Sequence, residues 1–172
     1  MNPAVRQLIM SLVIYPGKSA TISSEEFLRQ VGAADGQELG LDLLREAIVE
    51  QNADSVELAF VVAGQFGVPP AGVDLLIQLA NADWHHKHED VAGFLQEMPN
   101  PASIEALVRL ATWVPAYLEY DDGRALARKA VWALGAIPGP AAGAALTGLR
   151  QAESEFVRKQ VDKQLDRRNS AK

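Results

Sequence analysis

VAGFLQEMPNPASIEALVRLA (Val91–Ala111) lies over AVWALGAIPGPAAGAALTGLR (Ala130–Arg150) at a constant shift of 39 residues, and this register decides the fold. Leu95 falls on Leu134, Pro99 on Pro138, Pro101 on Pro140, Leu107 on Leu146 and Leu110 on Leu149. At a shift of 31, Pro70, Leu76 and Leu79 fall on Pro101, Leu107 and Leu110. One unit is therefore an apolar helix, a tight proline turn and a second apolar helix. Such a pair cannot bury both of its faces alone, so neighbouring pairs must stack.

Working outward, helix start and stop signals punctuate the rest of the chain. Asn2-Pro3 offers a cap and a first-turn proline. Ser23–Glu26 reads as a capping box for EEFLRQVG, which stops at Gly32. QELGLDLLREAIVEQN follows with near-helical apolar spacing, then VELAFVVAGQFG, opened by Asp54 and Ser55 and closed by Gly67 and Pro69-Pro70. AGVDLLIQLAN, HHKHEDVAGFLQEM, ASIEALVRLATW, GRALARKAVWALGAI, AAGAALTGLRQ and SEFVRKQVDKQLDRR complete the series. Period-2 alternation between hairpin turns is missing, so the expected class is all-α. The small residues Ala141–Ala145 read as a close-packing surface, and Trp132 as core.

ALGAIPGPAAGAALTGL resembles the HEAT-type repeat, most specifically in the last two repeats, across roughly residues 40–165. The resemblance implies a right-handed α-solenoid of about four to five HEAT-like helix pairs. The expected organisation is one domain over 1–172, with atypical N-terminal helices in 1–34 and a capping helix in 153–172. In that helix Phe156, Val157, Val161 and Leu165 form the apolar stripe. ADWHHKHED, YLEYDDGRALARKAVWALG and SEEFLRQVG together resemble a group of small bacterial HEAT-like proteins associated with neutralising toxins. That resemblance implies a non-enzymatic immunity protein.

Composition narrows the chemistry. With no cysteine, disulfides, thiolate zinc sites and cysteine nucleophiles are excluded, and a reducing cytoplasm is the expected setting. The apolar run Leu8–Tyr15 is too short to span a bilayer, and Gly17-Lys18 stands where a signal peptide would need small cleavage-site residues. Charge is uneven: Met1–Asp122 carries 6 Lys/Arg against 18 Asp/Glu, and Gly123–Lys172 carries 10 against 4, together the net −6. An acidic body with a basic last third points to partners rather than to fold.

All three histidines lie in ADWHHKHED, Ala82 to Asp90. On a helix, His85 would sit beside Glu89 and His86 beside Asp90, and His85 and His88 would also be neighbours. That arrangement could offer two nitrogens and an oxygen to zinc or iron. Neither HExxH nor HxxEH is present. HEAT-repeat iron enzymes of the deoxyhypusine hydroxylase type carry His-Glu dyads on several repeats, whereas this chain has one, His88-Glu89. The alternatives are local structure, with Asp83 capping the helix and Glu89 and Asp90 at its positive end, or a partner-contact surface.

WVPAYLEYDDG (Trp113–Gly123) accounts for the eight residues separating the two repeat spacings, so it is an inserted loop. Its tyrosines alternate with acids, a composition suited to an interface. The competing reading tucks Tyr117 and Leu118 into the core and lets Asp121 or Asp122 cap the next helix. The cations Arg124, Arg128, Lys129, Arg158, Lys159, Lys163, Arg167 and Arg168 allow phosphate contacts, but an acidic body would repel DNA, and a solenoid end needs a polar face anyway. GKS at Gly17–Ser19 lacks the upstream glycine and strand of a P-loop, and no G-x-S-x-G elbow occurs.

The expectation is thus a monomeric, cytoplasmic, non-enzymatic protein with no catalytic residues, metal or cofactor. Its expected partner is a protein, a cognate and basic toxin domain, rather than a membrane or nucleic acid. The expected contact residues are Trp84, His85, His88, Glu89 and Asp90 from the first segment, and Tyr117, Glu119, Tyr120, Asp121 and Asp122 from the second.

Overall fold

The computed structural model describes residues 1–13 and 20–170. The GKS segment, the end of the apolar run at Ile14–Tyr15 and the last two residues of the expected cap lie outside the described residues. Among the described residues there are ten α-helices, three short 3₁₀ turns and no strand, so the chain is all-α. It divides into two compact units, Met1–Leu75 and Leu76–Lys172.

In the first unit, α1 (Pro3–Met10), α2 (Ser24–Val31), α3 (Gly36–Glu50) and α4 (Ala53–Phe66) each begin at a side-chain cap. Asn2 Oδ1 accepts the Ala4 N–H at 2.8 Å, and Ser23 Oγ accepts the Glu26 N–H at 3.2 Å. Glu26 does not reach back to complete the capping box. It turns forward to Arg29, at 3.0 Å from Nε, and to Gln30. Gly32 ends α2 in the left-handed region, φ +78°. The cap of α4 is Asn52, which accepts the Ser55 N–H at 2.9 Å, not Asp54. Gln51, at φ +46°, turns the chain so sharply that the helix restarts two residues earlier than the acidic signal suggests.

The α3–α4 pair forms the core of this unit through Leu41, Leu44, Ala47, Val56, Ala59 and Val62. Phe27 of α2 stacks on Phe66 of α4 with ring centroids 6.0 Å apart. Gly36 opens α3 directly against the Phe66 ring, where any Cβ would collide.

In the second unit, the remainder of α5 (Val73–Asn81) leads to α6 (His88–Glu97), α7 (Ile104–Thr112), α8 (Arg124–Ala136), α9 (Pro140–Leu149) and α10 (Glu155–Ser170). Helix α8 is central, packing against α6, α7, α9 and α10, while α7 also meets α9. The residues equated by the 39-residue shift share one fate. Leu95, Leu134, Leu107, Leu146 and Leu110 are fully buried, and Leu149 nearly so. Pro101 opens a 3₁₀ turn, Pro101–Ser103, and Pro140 is the first residue of α9, where a missing N–H costs nothing. Of the small run Ala141–Ala145, only Ala142 is buried. A Cβ on Gly143 would meet nothing, so close packing is not its role.

Helix α10 carries Val157, Val161, Gln160 and Gln164 buried, with Phe156 and Leu165 half-buried. Trp132 is half-buried at the α8–α10 seam rather than in the core. Its Nε1–H reaches Gln160 Oε1 at 3.4 Å, and the Arg167 guanidinium stands 4.5 Å over its ring. Arg168 donates to the carbonyls of Gly135 (3.1 Å), Ile137 (2.6 Å) and Gly139 (2.7 Å), so one guanidinium satisfies carbonyls at the end of α8 and in the turn to α9. Arg168→Ala is expected to cost on the order of 2 kcal/mol, because charge-assisted bonds are lost and carbonyls are left bare. Unchanged thermal stability of that variant would contradict this role. Among the described residues, no helix is long and apolar enough to cross a membrane.

Candidate functional site

Helix α6 starts at His88, three residues later than the histidine run suggests, with Lys87 at its cap position and no side-chain cap from Asp83. The cause lies in two ring–backbone clasps. His85 Nε2–H donates to Leu79 O at 2.8 Å, while its Nδ1 accepts the Lys87 N–H at 3.0 Å. This holds the Ala82–Lys87 segment as a turn folded back on the end of α5. His85 and His86 are therefore not on the helix, and the pairings with Glu89 and Asp90 expected from helical spacing do not form.

His88 repeats the arrangement. Its Nε2–H donates to Ala82 O at 2.7 Å, and its Nδ1 accepts the Tyr117 hydroxyl at 2.9 Å. The same hydroxyl oxygen lies 3.3 Å from the His88 backbone N and accepts its proton. Tyr117 thus supplies the cap for α6 from 29 residues away. Both rings are neutral Nε2–H tautomers with every nitrogen engaged, so neither can ligate a metal without first breaking a clasp. Among the described residues, no three His, Asp or Glu side chains gather as a metal cluster.

Aromatic packing encloses the pair. The His85 and His88 rings stack at 4.2 Å, Trp84 meets His85 edge-on at 5.3 Å, and Trp113 meets His88 edge-on at 4.8 Å. Arg109 lies 4.1 Å over Trp113 and donates to Ala80 O at 2.6 Å, tying α7 to the end of α5. Burial lowers the pKa of both histidines, opposed in part by their bonds to Leu79 and Ala82, and brings His88 down to about 4. Burial also raises Tyr117 to about 12, and the nearby Glu89, Asp90 and Tyr120 add to that push.

The two segments singled out in the sequence therefore meet, but their residues divide. His85 and His88 are 0 % exposed, which corrects their assignment as partner contacts: they are the internal joint, not its surface. Trp84 and Tyr117 are half-buried parts of the same joint. His86, absent from the expected contacts, is the exposed histidine, packed at 4.6 Å against the Tyr117 ring. No spacing rule distinguishes it from its neighbours; only the turn does. Glu89 pairs with Lys129 of α8 at 3.1 Å, and Asp90 lies outermost, 3.9 Å from Lys87.

The inserted loop forms a 3₁₀ turn, Ala116–Asp121, pinned by buried Leu118. Asp121 Oδ2 accepts the Ala125 N–H at 3.4 Å, so Asp121 caps α8 and is not a free contact residue. Asp122 and Gly123 follow in the left-handed region, at φ +56° and +62°. Gly123 is in ordinary contact with Val114, and it is its left-handed φ that would strain any larger residue there. Asp122 pairs with Arg124 at 3.0 Å. Glu119 and Tyr120 point outward, Tyr120 with 81 % of its surface exposed. The sequence marked Trp113 only as the first residue of the inserted loop and gave Arg109 no role, because what makes them part of the site is a ring contact to His88 and a bond to Ala80.

What this arrangement does chemically is hold a rigid base from which His86, Asp90, Glu119, Tyr120 and Asp122 face solvent. No known protein family, no curated protein and no solved structure matches the chain.

Proposed function

We propose that the chain is a non-enzymatic binding protein whose acidic, tyrosine-bearing surface holds a basic protein partner. In its most specific form the partner is a toxin domain that this chain neutralises in the bacterial cytoplasm, on a HEAT-like stack of helix pairs. The observation that carries the binding reading is Tyr120. A large aromatic side chain stands almost fully exposed, flanked by Glu119 and Asp122, on a loop whose base is locked by Tyr117 and Leu118. A rigid aromatic anchor beside charge loses little conformational entropy on binding, and acidic neighbours speed encounter with a cationic surface. The resemblance to toxin-neutralising proteins supports the finer identity of the partner.

The basic last third supports this over a nucleic-acid reading, because most of its cations are engaged. Lys129 pairs with Glu89, Lys159 with Glu155 and Arg150 with Asp162, while Arg158 and Arg168 serve backbone carbonyls. The buried, fully bonded histidines likewise support a structural rather than a catalytic role for ADWHHKHED.

The test pairs the chain with toxin domains encoded beside its gene and measures affinity and association rate. Glu119→Lys combined with Tyr120→Ala is the informative variant, since both side chains are outward and Asp121 keeps its cap. Affinity should fall by about 30-fold or more, with a slower, less salt-sensitive association. A partner that binds both proteins equally would end the acidic-face reading.

A further inference from the structure

Beside this surface, and sharing Asp122 with it, runs a groove of about 450 Å³ between the start of the inserted loop and the start of α10. Its lining includes the apolar side chains of Trp113, Val114 and Phe156, with Val114 42 % exposed. Asp122 and Glu153 are the acidic residues of that lining. Past Phe156 and Ser154 it continues into a second depression of about 400 Å³, toward Arg124 and Lys159.

Charge sets what fits. At the far end Arg124 is paired with Asp122 and Lys159 with Glu155, at 3.0 and 2.7 Å. Arg158, the nearest other cation in sequence, turns its Nη1 onto the carbonyls of Ala152 and Glu153 at 2.5 and 2.7 Å and lines neither depression. Ser154 Oγ is taken by the Val157 N–H at 3.4 Å. Glu153 is exposed and has no ion-pair partner among the described residues, so the unbalanced charge of the groove's described lining is negative. Apolar lining beside an unbalanced carboxylate selects a bulky apolar side chain followed by a cation. An anionic or purely polar segment would lose its solvation without compensation.

We infer that this groove docks a segment of the protein partner in which a leucine or aromatic residue, seated on Trp113, Val114 and Phe156, adjoins an arginine or lysine that meets Glu153 and Asp122. This rests on the binding reading above and deepens it, extending the Tyr120 surface into a cleft that specifies a short basic–apolar motif.

The experiment is an NMR titration of the ¹⁵N-labelled chain with acetyl-Leu-Arg-amide and, in parallel, acetyl-Leu-Glu-amide. The arginine peptide should saturate with a Kd of roughly 0.1–1 mM, the range of a ligand this small. Shifts should centre on the Trp113 indole and the Gly123 and Ser154 amides. The glutamate peptide should bind at least about tenfold more weakly. Glu153→Lys, a surface change that leaves the Arg158 bond to the Glu153 carbonyl in place, should remove the preference. Asp122→Asn, which tolerates the left-handed backbone, should weaken it several-fold. Equal response to both peptides, no saturable shift up to about 10 mM, or a perturbed region elsewhere overturns the proposal. The outcomes separate from those above. Peptide binding without any toxin partner leaves the groove standing alone, whereas a toxin partner indifferent to Glu153→Lys removes the groove and leaves the Tyr120 surface.

Discussion

His88→Ala is expected to lower stability by on the order of 3 kcal/mol or more, visible as a drop in melting temperature of about 10 °C for a chain of this size. The ring is fully buried, stacked on His85 and edge-on to Trp113, so its removal leaves a cavity in a rigid aromatic cluster. It also strips the partner from Ala82 O and from the Tyr117 hydroxyl, and a buried polar group left bare costs about 1–3 kcal/mol by itself. Tyr117→Phe should show the smaller part of this loss, since the ring contacts survive and only the hydroxyl's two bonds go. His86→Ala, on the exposed side of the same turn, should change stability by roughly 0.5 kcal/mol. Equal effects for His86 and His88 would show that the buried clasp is not what holds the two loops together.

Acidification is the second large effect. Burial keeps His85 and His88 neutral in the folded chain, with His88 at about 4, while in the unfolded chain both take ordinary values near 6.5. Between those limits the unfolded state binds more protons, so stability is full above about pH 6.5 and declines as the pH falls. His88 alone accounts for on the order of 3 kcal/mol, lost in full once the pH is below about 4. Structurally, a proton on Nδ1 cannot coexist with the hydrogen bond that Tyr117 donates there. Glu26 and Glu155, whose pKa values are held low by Arg29 and Lys159, give way only at more acidic pH. Denaturant unfolding at pH 7.5, 5.5 and 4.5 measures the slope, and His88→Gln, which keeps polar atoms but cannot titrate, removes the histidine share. An identical pH profile in that variant would falsify the assignment.

The helix pattern was readable because its causes are local. Asn2 and Ser23 cap helices within three residues of themselves, and prolines at 70, 101 and 140 mark turns wherever they stand. The 39-residue register located buried leucines for a related reason: equivalent helices bury equivalent faces. Where a cap was misread, at Asp54 and Asp83, the winner was backbone geometry that composition does not display: a left-handed Gln51 and a turn clasped by His85.

By itself, then, the sequence determined that the chain is helical, which leucines face inward, and that an acidic tyrosine stretch joins α7 to α8. Only the tertiary structure decided what the histidines are. A histidine's role is set by what meets its two nitrogens, and here those partners are Leu79, Ala82, Lys87 and Tyr117, brought together by the path of α5, α6 and the loop after α7. Spacing along a chain cannot reveal whether a ring nitrogen ends on a carbonyl, a metal or water. Folding placed both rings indoors with no nitrogen free, and left Tyr120 and its acids as the groups that face solvent.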